Sequence, residues 1–168
     1  MSRSDESLRS TRLVFYKEDI DVIGKTIKAL LRNANARCAL LVDKDGHMVA
    51  KEGESSTCDM DTISALVAGS FAATKQMAKL LGEEEFSIMF HQGKKDNIQL
   101  SVVGARTILA VIFDDRTTLG MVRLYSSQVS SKLAQVFDEI ADRKSEGEKI
   151  SQEFSQAAKG KLDDLFGG

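Results

Sequence analysis

Few residues of this 168-residue chain have types and spacings that could do chemistry, and each set lacks a neighbour its chemistry needs. Gly24-Lys25-Thr26 matches the end of a phosphate-binding loop, in which backbone amides curl around phosphates. Such a loop needs a glycine five residues earlier, and Asp19 stands there within an amphipathic helix pattern, so an ordinary helix surface is the better reading. His47, His91, Cys38 and Cys58 fall in four separate elements without the paired spacing of a metal site. No Ser or Cys sits in a recognisable nucleophile motif. Asp43, Asp45, Asp59 and Asp61 lack the spacing of a calcium loop and read as turn and capping residues. Arg37, Arg106, Arg116 and Arg123 are candidates for a trans-acting arginine that stabilises phosphoryl transfer on another protein, but surface solvation is the plainer role for each. The expectation is a protein without catalytic residues, cofactor or metal.

The elements around these residues follow from hydrophobic period and turn chemistry. Residues 16–35 carry Ile20, Ile23, Ile27, Leu30 and Leu31 at helical spacing. Residues 38–43 and 48–51 flank Lys44-Asp45-Gly46, a hairpin signal because Asp-Gly supplies positive φ. A polar loop over 53–59 precedes a helix capped by Asp59 or Asp61 and stopped at Gly82. Ile63, Leu66, Val67, Ser70, Thr74, Met77 and Leu81 share one side of that helix and are expected to face the sheet. Ala65, Ala68, Gly69, Ala72 and Gln76 share the other, where small residues either admit another backbone or simply favour helix. Residues 86–92, 97–103 and 107–113 read as a three-strand meander whose last, wholly apolar member suits a central position. From about 119 to 143 the chain is helical again, with Val122, Val129, Leu133, Val136, Phe137 and Ile140 forming much of the stripe.

Composition bounds the rest. An apolar fraction of 42% and a charged fraction of 29% are those of a single folded domain. The net charge of −2 is spread without a basic block, which argues against nucleic acid. Two cysteines and a charged start without an apolar stretch point to a reducing cytoplasm, and no segment approaches a membrane span.

The order of elements resembles the roadblock/LC7 domain, an α/β (α+β) fold of the profilin-like kind. It implies a five-stranded antiparallel sheet in the order helix-strand-strand-helix-strand-strand-strand-helix, here followed by a tail helix. LVFYKEDI at 13–20, ANARCALLVDKDG at 34–46, LVAGSFAATKQMAKLLGEEEF at 66–86, FHQG at 90–93, VGARTILAVIFDDRTTLGMVRL at 103–124 and DDLF at 163–166 are similar to the MglB branch of bacterial gliding-motility proteins. The implied organisation is a flexible arm over 1–12, the roadblock/LC7 domain over 13–143, a linker or frayed helix end over 144–149 and an amphipathic tail over 150–168, carrying Ile150, Phe154, Leu162, Leu165 and Phe166.

The resemblance implies a cytoplasmic homodimer, concentrated at a cell pole, that binds a Ras-like GTPase of the MglA type and accelerates its GTP hydrolysis in control of polarity or motility. Other polarity proteins are further candidate partners. By the same resemblance Ala65, Ala68, Gly69, Ala72, Ala73 and Gln76 form the GTPase-binding face, although Lys75 and Gln76 are longer than the glycine of some members. Phe86, Ile88 and Phe90 belong to the dimer edge, and Leu162, Leu165 and Phe166 to a tail contact that modulates nucleotide exchange. The alternative is a roadblock scaffold that binds a GTPase or motor complex without altering hydrolysis.

Overall fold

The computed structural model describes residues 15–54 and 58–167, so the arm over 1–12 and the middle of the 53–59 loop lie outside the described residues. The chain divides into two compact units, residues 16–136 and a second unit in which Phe15 accompanies residues 137–167.

The larger unit opens with α1 (Lys17–Ala34), whose N-terminus is satisfied when Asp19 Oδ2 accepts from the Tyr16 amide at 2.8 Å. Asn35 ends it in the left-handed region at φ 52°. Ile23, Ile27 and Leu30 are fully buried, whereas Ile20, one turn from the start, remains exposed. Next follow β1 (Cys38–Asp43), β2 (Met48–Gly53), α2 (Met60–Leu80), β3 (Ile88–Gln92), β4 (Asn97–Val103), β5 (Thr107–Phe113) and α3 (Leu119–Phe166).

The five strands form one antiparallel sheet in the order β2-β1-β5-β4-β3. The apolar run of β5 is buried throughout because it is the central strand, flanked by β1 and β4. On one face Cys38, Leu40, Val42, Leu100, Ile108, Ala110 and Ile112 pack with Met60, Val67 and Phe71 of α2. Strand alternation turns Ala39, Leu41, Leu109 and Val111 to the other face, where they too are fully buried, and α1 packs over β2 and β1. Each fully buried aliphatic side chain contributes roughly 1.5–3 kcal/mol of transfer free energy, so the two-faced core dominates the body's stability.

Val122 and Leu133 are the fully buried residues of the α3 stripe within this unit, with Val129 and Val136 half-buried. The stretch 144–149, expected as a linker or frayed end, is instead helical and continuous with the rest of α3. Its Ser, Glu and Lys residues are compatible with helix, and Gly147 alone costs only about 1 kcal/mol there. In the second unit the rings of Phe15 and Phe137 meet edge to face, 5.9 Å between centroids.

A candidate partner-binding face

Several of the chemistry-bearing residues already have a structural role. Gly24-Lys25-Thr26 lies in the interior of α1, and the buried Thr26 hydroxyl donates to Val22 O at 2.8 Å. No loop is present there to receive a phosphate. Burial pushes the Cys38 thiol up to about 11, which leaves it protonated and a weak nucleophile at neutral pH. Asp59 caps α2 and Asp61 lies in its first turn.

Asp43, Asp45 and His47 bring ligand atoms within 4.8 Å of one another in the β1–β2 turn, a proximity that sequence spacing alone does not disclose. Turn geometry accounts for it. The Asp43 carboxylate accepts from the Asp45 and His47 amides at 3.0 and 2.9 Å and stands 3.2 Å from His47 Nδ1.

Two of the four candidate arginines are held by carboxylates at one end of the sheet. Arg37 Nη1 donates to Asp96 at 2.6 Å and lies near Glu54 and Asp114, while Arg116 Nε donates to Asp114 at 3.0 Å. The Arg116 bonds hold the Asp114 carboxyl below its ordinary value. Both side chains are thus tied to carboxylates of this chain, Arg37 mostly covered and Arg116 44% exposed. Arg106 and Arg123 are exposed, in the β4–β5 turn and on α3.

The remaining feature is the outward face of α2. Asp59 starts the helix by accepting from the Thr62 amide at 3.1 Å and its hydroxyl at 2.6 Å, bonds that hold its carboxyl below the ordinary value. Gly82, at φ +83°, ends it, with Glu83 N donating to Ala78 O. The face toward the sheet consists of Met60, Ser64, Val67, Ala68, Phe71 and Ala78.

This rotation corrects the expectation from sequence. Of the seven residues expected inward, Val67 alone is buried, and Ile63, Ser70 and Thr74 are half-buried. Leu66, Met77 and Leu81 are 66%, 53% and 74% exposed, and Leu80 is 87% exposed. The physical reason is Phe71, which brings more apolar area than any other residue of the helix and turns inward, carrying Ala68 with it.

Ala68 therefore does not lie on the outer face; only 7% exposed, it abuts the β1–β2 turn. A methyl group on Gly46 would stand 3.7 Å from Ala68 Cβ and 3.3 Å from Ala65 Cα, so the small size of both alanines has a cause inside the molecule. Ala65, Gly69, Ala72, Ala73 and Gln76 are exposed, and a methyl group on Gly69 would meet nothing within 4 Å. With Leu66, Met77 and Leu80, the alanines and Gly69 make a largely apolar strip, interrupted by Gln76, in which small residues alternate with large ones. Contiguous exposed apolar surface of this kind marks interaction sites.

The edge strand β3 adjoins this helix. Thr74 Oγ1 approaches Met89 Sδ at 2.9 Å, linking α2 to β3, while Ile88 and Phe90 alternate to the opposite face. Ile88 is exposed, Phe86 half-buried, and Phe90 lies stacked on Phe113 with ring centroids 6.0 Å apart. Ile150, Phe154, Leu162, Leu165 and Phe166 are exposed in the second unit. Among the described residues no helix is long and apolar enough to cross a membrane.

A five-stranded antiparallel sheet in the order β2-β1-β5-β4-β3, with α1 packed over β2 and β1 and an outward apolar face on α2, defines a class, and comparison with known proteins agrees with it. The Roadblock/LC7 domain model matches residues 22–113, and the chain belongs to the roadblock/LC7 family. Within that family it is of the MglB type. It is 40% identical to Myxococcus xanthus MglB, covering 76% of this chain and 96% of that one with a TM-score of 0.72. The gliding protein MglB of Thermus thermophilus is 34% identical with the same coverage and TM-score. A third solved structure, of MglB in a tetrameric arrangement, is 32% identical at a TM-score of 0.73, again over 76% and 96% of the two chains. An uncharacterized protein of Aquifex aeolicus (strain VF5) is 24% identical over 147 residues, 86% of this chain and 89% of the relative.

Proposed function

We propose that this protein is a homodimeric activator of a Ras-like GTPase of the MglA type, acting in the cytoplasm, with enrichment at a cell pole, in control of polarity or motility. The observation that carries the reading is the outward face of α2, where Gly69, Ala72 and Ala73 lie open among Leu66, Met77 and Leu80. Small side chains allow a partner's backbone to come close, and the large ones supply apolar area to bury on contact. The dimer uses β3, through Phe86, Ile88 and Phe90, and the adjoining α2, so that two such faces lie side by side.

Activation on this reading needs no inserted group. The dimer binds the GTPase conformation in which the partner's own residues order water and stabilise the charge of the transition state, and so raises the population of that conformation. Arg37 and Arg116 are already paired with this chain's own carboxylates, which disfavours these two as inserted arginines. The exposed Leu162, Leu165 and Phe166 of the tail make a second, separate contact that changes nucleotide exchange.

The test is GTP turnover by a co-encoded MglA-type GTPase as the purified full-length protein is added. Activation predicts a saturating rise in turnover. Binding without a rise in turnover would identify a passive scaffold.

A further inference from the structure

Lys44 lies in the β1–β2 turn, yet its contacts reach three other parts of the body. Its amide donates to Arg106 O in the β4–β5 turn at 2.9 Å. Its Nζ stands 3.3 Å from Glu85 Oε2 and 5.4 Å from the centre of the Phe71 ring. Both charged side chains are partly buried, 29% and 28% exposed, so the pair and the cation over the ring are screened less than fully exposed equivalents.

The positions of these partners matter more than their strength. Phe71 is the side chain that sets which face of α2 turns inward. Glu85 lies in the short connection between the end of α2 at Leu80 and the start of β3 at Ile88. The turn bearing Lys44 is itself stiff, because the Asp43 carboxylate accepts two amides within it and Gly46 rests on Ala65. One side chain on a rigid turn thus clasps the plug of the helix and the chain leading to the edge strand.

We infer that Lys44 is a positioning residue for GTPase activation: it fixes the rotation of α2 and its approach to β3, so that the outward face meets the partner in the geometry that orders its switch regions. The inference rests on the reading above that α2 carries the GTPase, and Lys44 itself touches no reacting group. Lys44→Met keeps the length of the side chain and removes its charge. Lys44→Arg keeps a cation that can both stack on Phe71 and pair with Glu85.

The experiment measures GTP turnover by a co-encoded MglA-type GTPase against full-length wild type, Lys44→Met, Lys44→Arg and Glu85→Gln, together with amide hydrogen exchange of residues 60–80 in each protein alone. Lys44→Met should lower stimulation at saturation by about tenfold, as expected when a contact is slightly misplaced, with a much smaller change in the concentration giving half-stimulation. Exchange over 60–80 should rise by about tenfold in the same variant. Lys44→Arg should restore both, and Glu85→Gln should fall between. If wild type stimulates and Lys44→Met matches it, the inference is overturned, as it is if Lys44→Arg fails to restore a lost response. Absence of stimulation by wild type would count against the activation reading instead, and exchange over 60–80 unaltered in Lys44→Met would still overturn the clasp.

Discussion

Gly46 rests on Ala65 where the β1–β2 turn meets α2: a methyl group on the glycine would stand 3.3 Å from the Ala65 Cα, a backbone atom that cannot swing aside. The same glycine holds φ at +95°, a region that side chains other than glycine rarely adopt. Gly46→Ala should therefore lower stability by about 1–3 kcal/mol through combined strain and crowding. Gly69→Ala, inside α2 with open space and ordinary helical φ, should be neutral or add up to about 1 kcal/mol. Thermal or urea denaturation of the two variants checks the contrast, and equal effects would refute the docking of the turn.

Phe71 is the inward anchor of α2, packed among Leu40, Val42 and Ile108. Phe71→Ala should cost about 3–5 kcal/mol. Leu66→Ala, on the outward face, should leave the melting temperature of the isolated protein nearly unchanged. If Leu66 proved the costlier of the two, the rotation of α2 described above would be wrong.

These contrasts locate what could be read from the residues and what could not. The Asp45-Gly46 turn, the Asp59 cap, the Gly82 terminator and the apolar β5 each carry a local signal with one physical meaning, and all stand where expected. The rotation of α2 was not readable in this way. A helix with Leu66, Met77 and Leu80 on one side and Met60 and Phe71 on the other has two apolar faces, and periodicity cannot tell which one the sheet covers. The second apolar face, which the core does not use, is the feature on which the proposed partner contact rests. The pairing of Arg37 with Asp96 joins residues far apart in the chain and has no local signature. At 144–149 local composition argued for a break, whereas helix continuity prevailed through Gly147 and Gly160.

The Asp59 carboxyl is held below its ordinary value of 3.8, first by the Thr62 hydroxyl and then by the Thr62 amide. A depressed folded value means that the stabilisation is fully present above the ordinary value and is lost as pH falls through the folded one. Urea midpoints should fall below about pH 4, and Asp59→Asn, which still caps but does not titrate, should flatten that fall. An undiminished slope in the variant would remove Asp59 from the acid response. Asp114, bonded to Arg116, adds to the same acid-side loss.

Residues 150–167 are exposed throughout and belong to the unit separate from the body. Deleting 150–168 should leave the melting temperature of the body within a few degrees of wild type and preserve GTPase stimulation, while changing the rate of nucleotide exchange. Loss of folding on deletion would make the tail a structural element instead.

The most direct test of the central claim is Ala72→Arg, which places a long charged side chain on the outward face of α2 without touching the core. The variant should keep the stability and oligomeric state of wild type, yet raise the GTP turnover of a co-encoded MglA-type GTPase by less than a tenth of the wild-type stimulation, about a 1.4 kcal/mol loss or more. Stimulation equal to wild type by a correctly folded Ala72→Arg protein would contradict the account, because the face would then play no part in activation.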